Sequence, residues 1–181
     1  MMGSPEQKTL SVLPLDPGKS GLLDGFAQYL GSCAAVCLEK NTHSSGVEMA
    51  VEGDHNAAYC LSWQQLTEKD HHTCADLQEA TEYGAYGIAI LVVRDTAGKT
   101  VVERSAKGPG FDFWIGDEED AELPFQGLAR LEVSGILDGH AAAIRARTGV
   151  KKKQVTPSDK LAPALIAVVE FGRPVTRLES K

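Results

Sequence analysis

The chain has 181 residues and is 43% hydrophobic, enough for one domain with a sizeable core. A net charge of −7 and a pI near 5.2 exclude a surface that is basic all round, though not a local basic groove for a polyanion. No apolar run reaches the roughly 18 residues of a helical membrane span, so no membrane partner is expected.

Residues 1–18 are polar and carry Pro5, Pro14 and Pro17, which predicts a loose arm ahead of a single globular domain over 19–181. The arm has no sustained apolar stretch, so no cleaved leader is expected and the location read from the sequence is cytoplasmic. From Leu22 to Glu39, residues Leu22, Phe26, Tyr29, Leu30, Cys33, Val36 and Cys37 recur at three and four, the period of a helix. Val47–Val51 and Ala57–Trp63 read as two strands around a Gly53-Asp54-His55-Asn56 turn, and 66–73 as polar surface. The cysteines, Cys33, Cys37, Cys60 and Cys74, are expected to be reduced and buried. A zinc site drawing on them and His71 would have a spacing unlike the common ribbons and fingers.

A helix is predicted from Asp76 to about Val93, with Leu77, Thr81, Gly84, Ile88 and Leu91 on one stripe. The run Ile88–Val93 also suits a buried strand, but the stripe continues through it without a break. After a turn at Gly98 come strands over Thr100–Arg104 and Phe111–Ile115, separated by the loop Lys107-Gly108-Pro109-Gly110. Asp117–Leu123 is an acidic connection, Leu128–Ile136 a strand, Ala141–Arg147 a helix ahead of Lys151-Lys152-Lys153, and Leu165–Phe171 a strand. The tail from Pro174 is polar. The sum is an α/β protein with a mixed sheet: an N-terminal helix and hairpin, then helix, three strands, helix and strand over about 75–172.

Asp112 and Glu132 carry the chemistry. Each interrupts a segment that otherwise reads as a buried strand, where side chains alternate between faces. Phe111, Phe113 and Ile115 are expected on one face with Asp112 on the other. Leu131 and Val133 share a face, opposite Arg130, Glu132 and Ser134. A buried carboxylate is costly unless it is paired or holds a metal. Two of them on strands joined by one loop can meet, as a divalent cation requires. The plainer readings are that Asp112 bonds loop amides and that Glu132 pairs with Arg130 or Lys107.

The element order, with Asp112 on the second core strand and Glu132-Val133-Ser134 on the third, resembles the PD-(D/E)xK nucleases, the restriction-endonuclease-like fold. The resemblance implies a metal-dependent nuclease acting on DNA or RNA phosphodiesters, in bacterial defence or DNA processing, with magnesium or manganese held by Asp112 and Glu132. A carboxylate from the first core helix, Glu82 before Glu79, completes the metal set it implies. Ser134 stands where the motif has lysine, and a serine cannot supply positive charge to a phosphoryl group. Lys107, or else Arg130, is the expected substitute. Arg145, Arg147, Lys151, Lys152, Lys153 and Lys160 lie on or after the second core helix, placed to meet phosphates or simply to suit a helix C-terminus. Trp114 is a candidate stacking platform or a core residue.

Ser134 and the acidic balance also fit other classes: a catalytically inactive module that binds a partner protein or forms a homodimer, or an immunity or antitoxin-type inhibitor whose acidic 117–122 segment mimics nucleic acid.

Overall fold

A computed structural model describes residues 7–118 and 127–181. The strands are β1 (Lys8–Leu13), β2 (Val47–Gly53), β3 (Ala57–Trp63), β4 (Lys99–Arg104), β5 (Phe113–Asp117), β6 (Ala129–Ile136), β7 (Ala164–Glu170) and β8 (Val175–Ser180). They form one mixed sheet in the order β1-β3-β2-β8-β7-β6-β5-β4. The helices are α1 (Asp24–Lys40), α2 (Glu68–Thr73), α3 (Leu77–Ala97) and α4 (Ala141–Gln154). Among the described residues no helix is long and apolar enough to cross a membrane.

The sheet is covered on both faces, and strand alternation dictates how. In β7, Ala167 and Val169 face the cluster that contains α1 and α3, while Ala164, Ile166 and Val168 face the cluster built on Ile144 of α4. Leu131 and Val133 of β6 join the first cluster, leaving Arg130, Glu132 and Ser134 for the α4 side. Within the expected 100–136 region, β4–β5 and β5–β6 pair antiparallel, and β6–β7 pair parallel across α4.

Several segments depart from expectation. The arm contains β1, which pairs parallel with β3; Leu10 and Val12 are buried in alternation with exposed Thr9 and Ser11, and Pro14 and Pro17 fall after the strand. The tail forms β8, which lies between β2 and β7 and joins the N-terminal hairpin to the rest of the sheet. Its Thr176 and Leu178 are fully buried, while Arg177 and Glu179 pair with one another on the other face. Residues 68–73 form a short helix with a capping box between Thr67 and Asp70.

α3 runs four residues beyond Val93, from an Asp76 cap that accepts from Gln78 and Glu79 amides to Gly98, which closes the helix at φ 61°. Ile88–Val93 is therefore helical, and all six residues are buried. α4 also runs on, to Gln154, so the lysine run is its last turn, where cations oppose the helix dipole. His140 caps its start, Nδ1 accepting from the Ala143 amide.

Candidate functional site

β5 begins only at Phe113, so Phe111 and Asp112 precede the pleat. Phe111 consequently packs on the α4 side, against Trp114, rather than beside Phe113. The Asp112 backbone is nonetheless tied on both sides: its amide donates to Leu131 O (2.9 Å) and its carbonyl accepts from Ser105 N (2.8 Å). Beyond the Phe113–Leu131 pair, the next amide of β6 on that edge, Val133 N, has no strand partner. The Asp112 carboxylate accepts from it through Oδ2 at 2.8 Å. Oδ1 accepts from the Tyr86 hydroxyl of α3, also at 2.8 Å.

Glu132 is 1% exposed. Its Oε1 accepts from Lys151 Nζ at 2.6 Å and from Gln154 Nε2 at 2.9 Å, both on the last turn of α4. Oε2 is buried and has no donor. Burial first, then the charge of Asp112, pushes the Glu132 carboxyl up to about 8, against the opposing pull of Lys151; hydrogen bonding with Asp112 adds to the rise. The two carboxyls line the same cavity, near enough for the charge of one to bear on the other. With both ionised, Oε2 is an unsatisfied buried acceptor; a shared proton or a cation between the pair would satisfy it.

These groups line a cavity of about 780 Å³ between α3 and α4, floored by residues 132–137 of β6 and its exit. Two glycines make the geometry possible. A Cβ on Gly110 would lie 2.5 Å from the Gln154 carbonyl, so only glycine, at φ 82°, lets the loop before Asp112 run against the end of α4. A Cβ on Gly135 would lie 2.3 Å from the Thr81 carbonyl, so β6 can approach α3 this closely only there.

Asp112 and Glu132 are brought together. Glu82 reaches them only through Tyr86, whose hydroxyl lies 3.0 Å from Glu82 Oε1 as well as against Asp112. A phenol has one hydrogen to donate, so it serves one carboxylate at a time. Burial and the adjoining carboxylates raise the phenol far above its ordinary range. Glu79 is exposed and does not line the cavity.

The expectation for Lys107 is corrected. The Ser105–Asp112 bond closes the loop, and Lys107 projects from it into solvent, outside the cavity. The cation beside Glu132 is Lys151. Arg130 is not a substitute either: it is buried beneath Phe111 and bonds to the carbonyls of Val155 and Ala162, to Ser158 and to Asp159.

The expected basic face of α4 is divided. Lys151 and Arg147 line the cavity, and Arg147 Nη1 donates to Ser134 Oγ at 2.9 Å. Lys152 instead pairs with Glu179 of β8 at 2.6 Å. Arg145 and Lys153 are exposed outside the cavity, as is Lys160. Trp114 is half-buried, edge-on to Phe111 at 4.8 Å, which makes it a packing residue. The acidic connection lies largely in 119–126, outside the described residues.

Sequence reasoning missed Tyr86 and Gln154. The signals were present: Tyr86 follows Glu82 by four residues and Gln154 follows Lys151 by three, each pair on one helical face. All four cysteines are free, and Cys33 and Cys74 place their sulfurs 3.3 Å apart. Burial pushes the Cys37 thiol up to about 11 and Cys33 higher still, away from the thiolate that zinc requires. Among the described residues no group of three or more His, Cys, Asp or Glu is placed to hold a metal.

Comparison with models of protein families, with curated proteins and with solved structures finds no match.

Proposed function

We propose that the chain is a magnesium-dependent nuclease of the PD-(D/E)xK type, its site formed by Asp112, Glu132 and Lys151. The observation that carries this reading is Glu132 Oε2, a buried carboxylate oxygen with no donor, on a side chain that lines the cavity beside Asp112. Magnesium is commonly held by one or two protein carboxylates, its other positions filled by water and phosphate, so Asp112 and Glu132 suffice as a donor set. The sheet order β4-β5-β6-β7, antiparallel twice and then parallel, with α3 before it and α4 as its crossover, supports the same reading.

When bound, the cation supplies Lewis-acid polarisation of the phosphoryl group and lowers the pKa of coordinated water. The protein residues divide the remaining work. Tyr86 and the Val133 amide fix both oxygens of Asp112, so its carboxylate needs no reorganisation to act. Gln154 orients Glu132 through Oε1 and leaves Oε2 for the cation. Lys151, already beside Glu132, places positive charge where the attacked phosphate would lie. It fills in space the place that Ser134 leaves empty in the tripeptide.

The test is a screen of single- and double-stranded DNA and RNA with Mg²⁺, Mn²⁺ or EDTA. Cleavage that depends on the metal is expected, and Asp112→Asn should abolish it. Asparagine can still accept from Val133 N and can donate to Tyr86, so the variant should fold. No cleavage of any substrate under any metal, together with a partner protein that co-purifies tightly, would favour an inactive binding module instead.

A further inference from the structure

The cavity continues past the paired carboxylates, and its two walls keep step. Along β6, Glu132, Ser134 and Ile136 occupy one face at intervals of about 6.6 Å. Along α4, Lys151 and Arg147 are one turn apart, about 6 Å. The walls meet twice, at Lys151–Glu132 (2.6 Å) and again at Arg147–Ser134 (2.9 Å). The result is two cationic positions one nucleotide apart. The third step is apolar: Ile136, Leu137 and Leu77 are half-buried at the far end of the cavity.

Arg147 differs from Lys151 and Lys152 on the same helix. Lys151 is held by Glu132 and Lys152 by Glu179, whereas Arg147 bonds only the neutral Ser134 hydroxyl among the described residues. Ser134 is 6% exposed and serves to steer the guanidinium across the cavity floor. A guanidinium has five donors in a fixed fork matched to phosphate oxygens, and a single bond to serine leaves most of them free.

We propose that Arg147 and Ser134 form a subsite for the phosphate adjoining the scissile one, and that the cavity takes a short single strand of nucleic acid rather than a duplex. The inference rests on the nuclease reading above and narrows its substrate. A volume of about 780 Å³ suits a ligand of one or two nucleotides, which the apolar end would receive by a base or sugar face. A duplex is held by many phosphate contacts along an open surface. Here Lys152, the next cation along the helix, is already paired with Glu179 outside the cavity, and the chain carries a net charge of −7.

The experiment measures binding apart from cleavage. The full-length chain is titrated in EDTA into labelled trinucleotides of DNA and RNA, each with two internal phosphates, and anisotropy is followed across a range of salt. Arg147→Ala should weaken binding about tenfold and reduce the slope of log affinity against log salt by about 0.7, the signature of one phosphate on a single strand. Arg147→Lys should keep the slope and recover only part of the affinity. One of the two phosphates, neutralised as methylphosphonate, should cost the wild type the same tenfold and cost Arg147→Ala nothing more. A hairpin duplex should compete less well than the single strand.

An unchanged salt slope in Arg147→Ala, indifference of the wild type to both methylphosphonates, tighter binding of the duplex, or no binding at all would each overturn the proposal. Should Arg147→Ala fail to fold, the methylphosphonate series on the wild type decides alone. A chain that binds as described yet cuts nothing in Mg²⁺ refutes the nuclease reading and leaves the subsite standing. A chain that cuts while Arg147→Ala binds normally refutes only the subsite.

Discussion

Replacing Glu132 by glutamine should make the protein more stable at alkaline pH and flatten its stability between about pH 4.5 and 8. Glu132 rises from an ordinary 4.5 to about 8 through burial and the neighbouring Asp112 carboxylate. At about 1.36 kcal/mol per unit, that rise is worth roughly 5 kcal/mol of penalty on the ionised form. The folded state holds this proton more tightly than the unfolded chain does. Between about pH 4.5 and 8 it therefore binds more protons, and stability must fall as pH rises through that window. Below the window the penalty vanishes; above it the penalty is complete. Glutamine keeps the Oε1 acceptor for Lys151 and Gln154 and places an NH₂ donor where Oε2 now has no partner. Part of the gain is lost because Lys151 no longer has a counter-charge, so a net stabilisation of about 2–3 kcal/mol above pH 8 is expected. Urea unfolding in EDTA, followed by tryptophan fluorescence from Trp63 and Trp114, measures this at a series of pH values. Magnesium should restore wild-type stability at alkaline pH and leave Glu132→Gln unchanged. A wild type whose stability is flat or rises across the window, or a Glu132→Gln variant less stable than it above pH 8, would refute the account of the buried pair.

Lys151→Ala should lower the rate on any cleaved substrate by about 10²–10³-fold, whereas Lys107→Ala should leave it unchanged. Adding Ser134→Lys to Lys151→Ala should restore part of the loss, because residue 134 shares the Glu132 face of β6; steady-state kinetics of the three variants checks all of this. Gly135→Ala should destabilise the fold by about 2 kcal/mol or more, since the added methyl meets a backbone carbonyl that cannot swing away. At the roughly 2–4 °C per kcal/mol of a chain this size, thermal melting should show a drop of at least about 4 °C.

The sequence was legible where periodicity and chemistry agreed. The α3 stripe, the hairpin turn at 53–56 and the alternation through β6 each placed an element correctly, and β6 also placed Glu132 opposite Leu131 and Val133. β1 and β8 were not legible, for one shared reason. Their buried residues, Leu10 and Val12 in one and Thr176 and Leu178 in the other, alternate with polar partners next to prolines and charges. That local pattern cannot be told from a polar terminus until the neighbouring strand is known. Phe111 was misplaced for a different reason: alternation was extended two residues beyond the true start of β5, and the pleat rule has no force outside the strand.

On the proposed nuclease reading, the lysine that Ser134 replaces in the tripeptide has its counterpart in Lys151, outside the tripeptide. The tripeptide pattern puts a cation two residues after an acid because a strand returns to the same face at that interval. The requirement is spatial, and a helix packed on that face can meet it equally well. Ending the α4 pattern at Arg147 leaves Lys151 to Lys153 as an undifferentiated basic run and favours Lys107, in the loop before Asp112. Once the helix extends to Gln154, its rotation separates three consecutive lysines. Lys151 turns inward to Glu132, Lys152 turns to Glu179 and Lys153 stays in solvent. The same rotation carries Arg147, one turn earlier, to Ser134 and Gln154, three residues later, back to Glu132. One helix register thus places three of the polar side chains that face the two-carboxylate centre. A change that shifts that register, rather than any single substitution in β6, would dismantle the site as a unit.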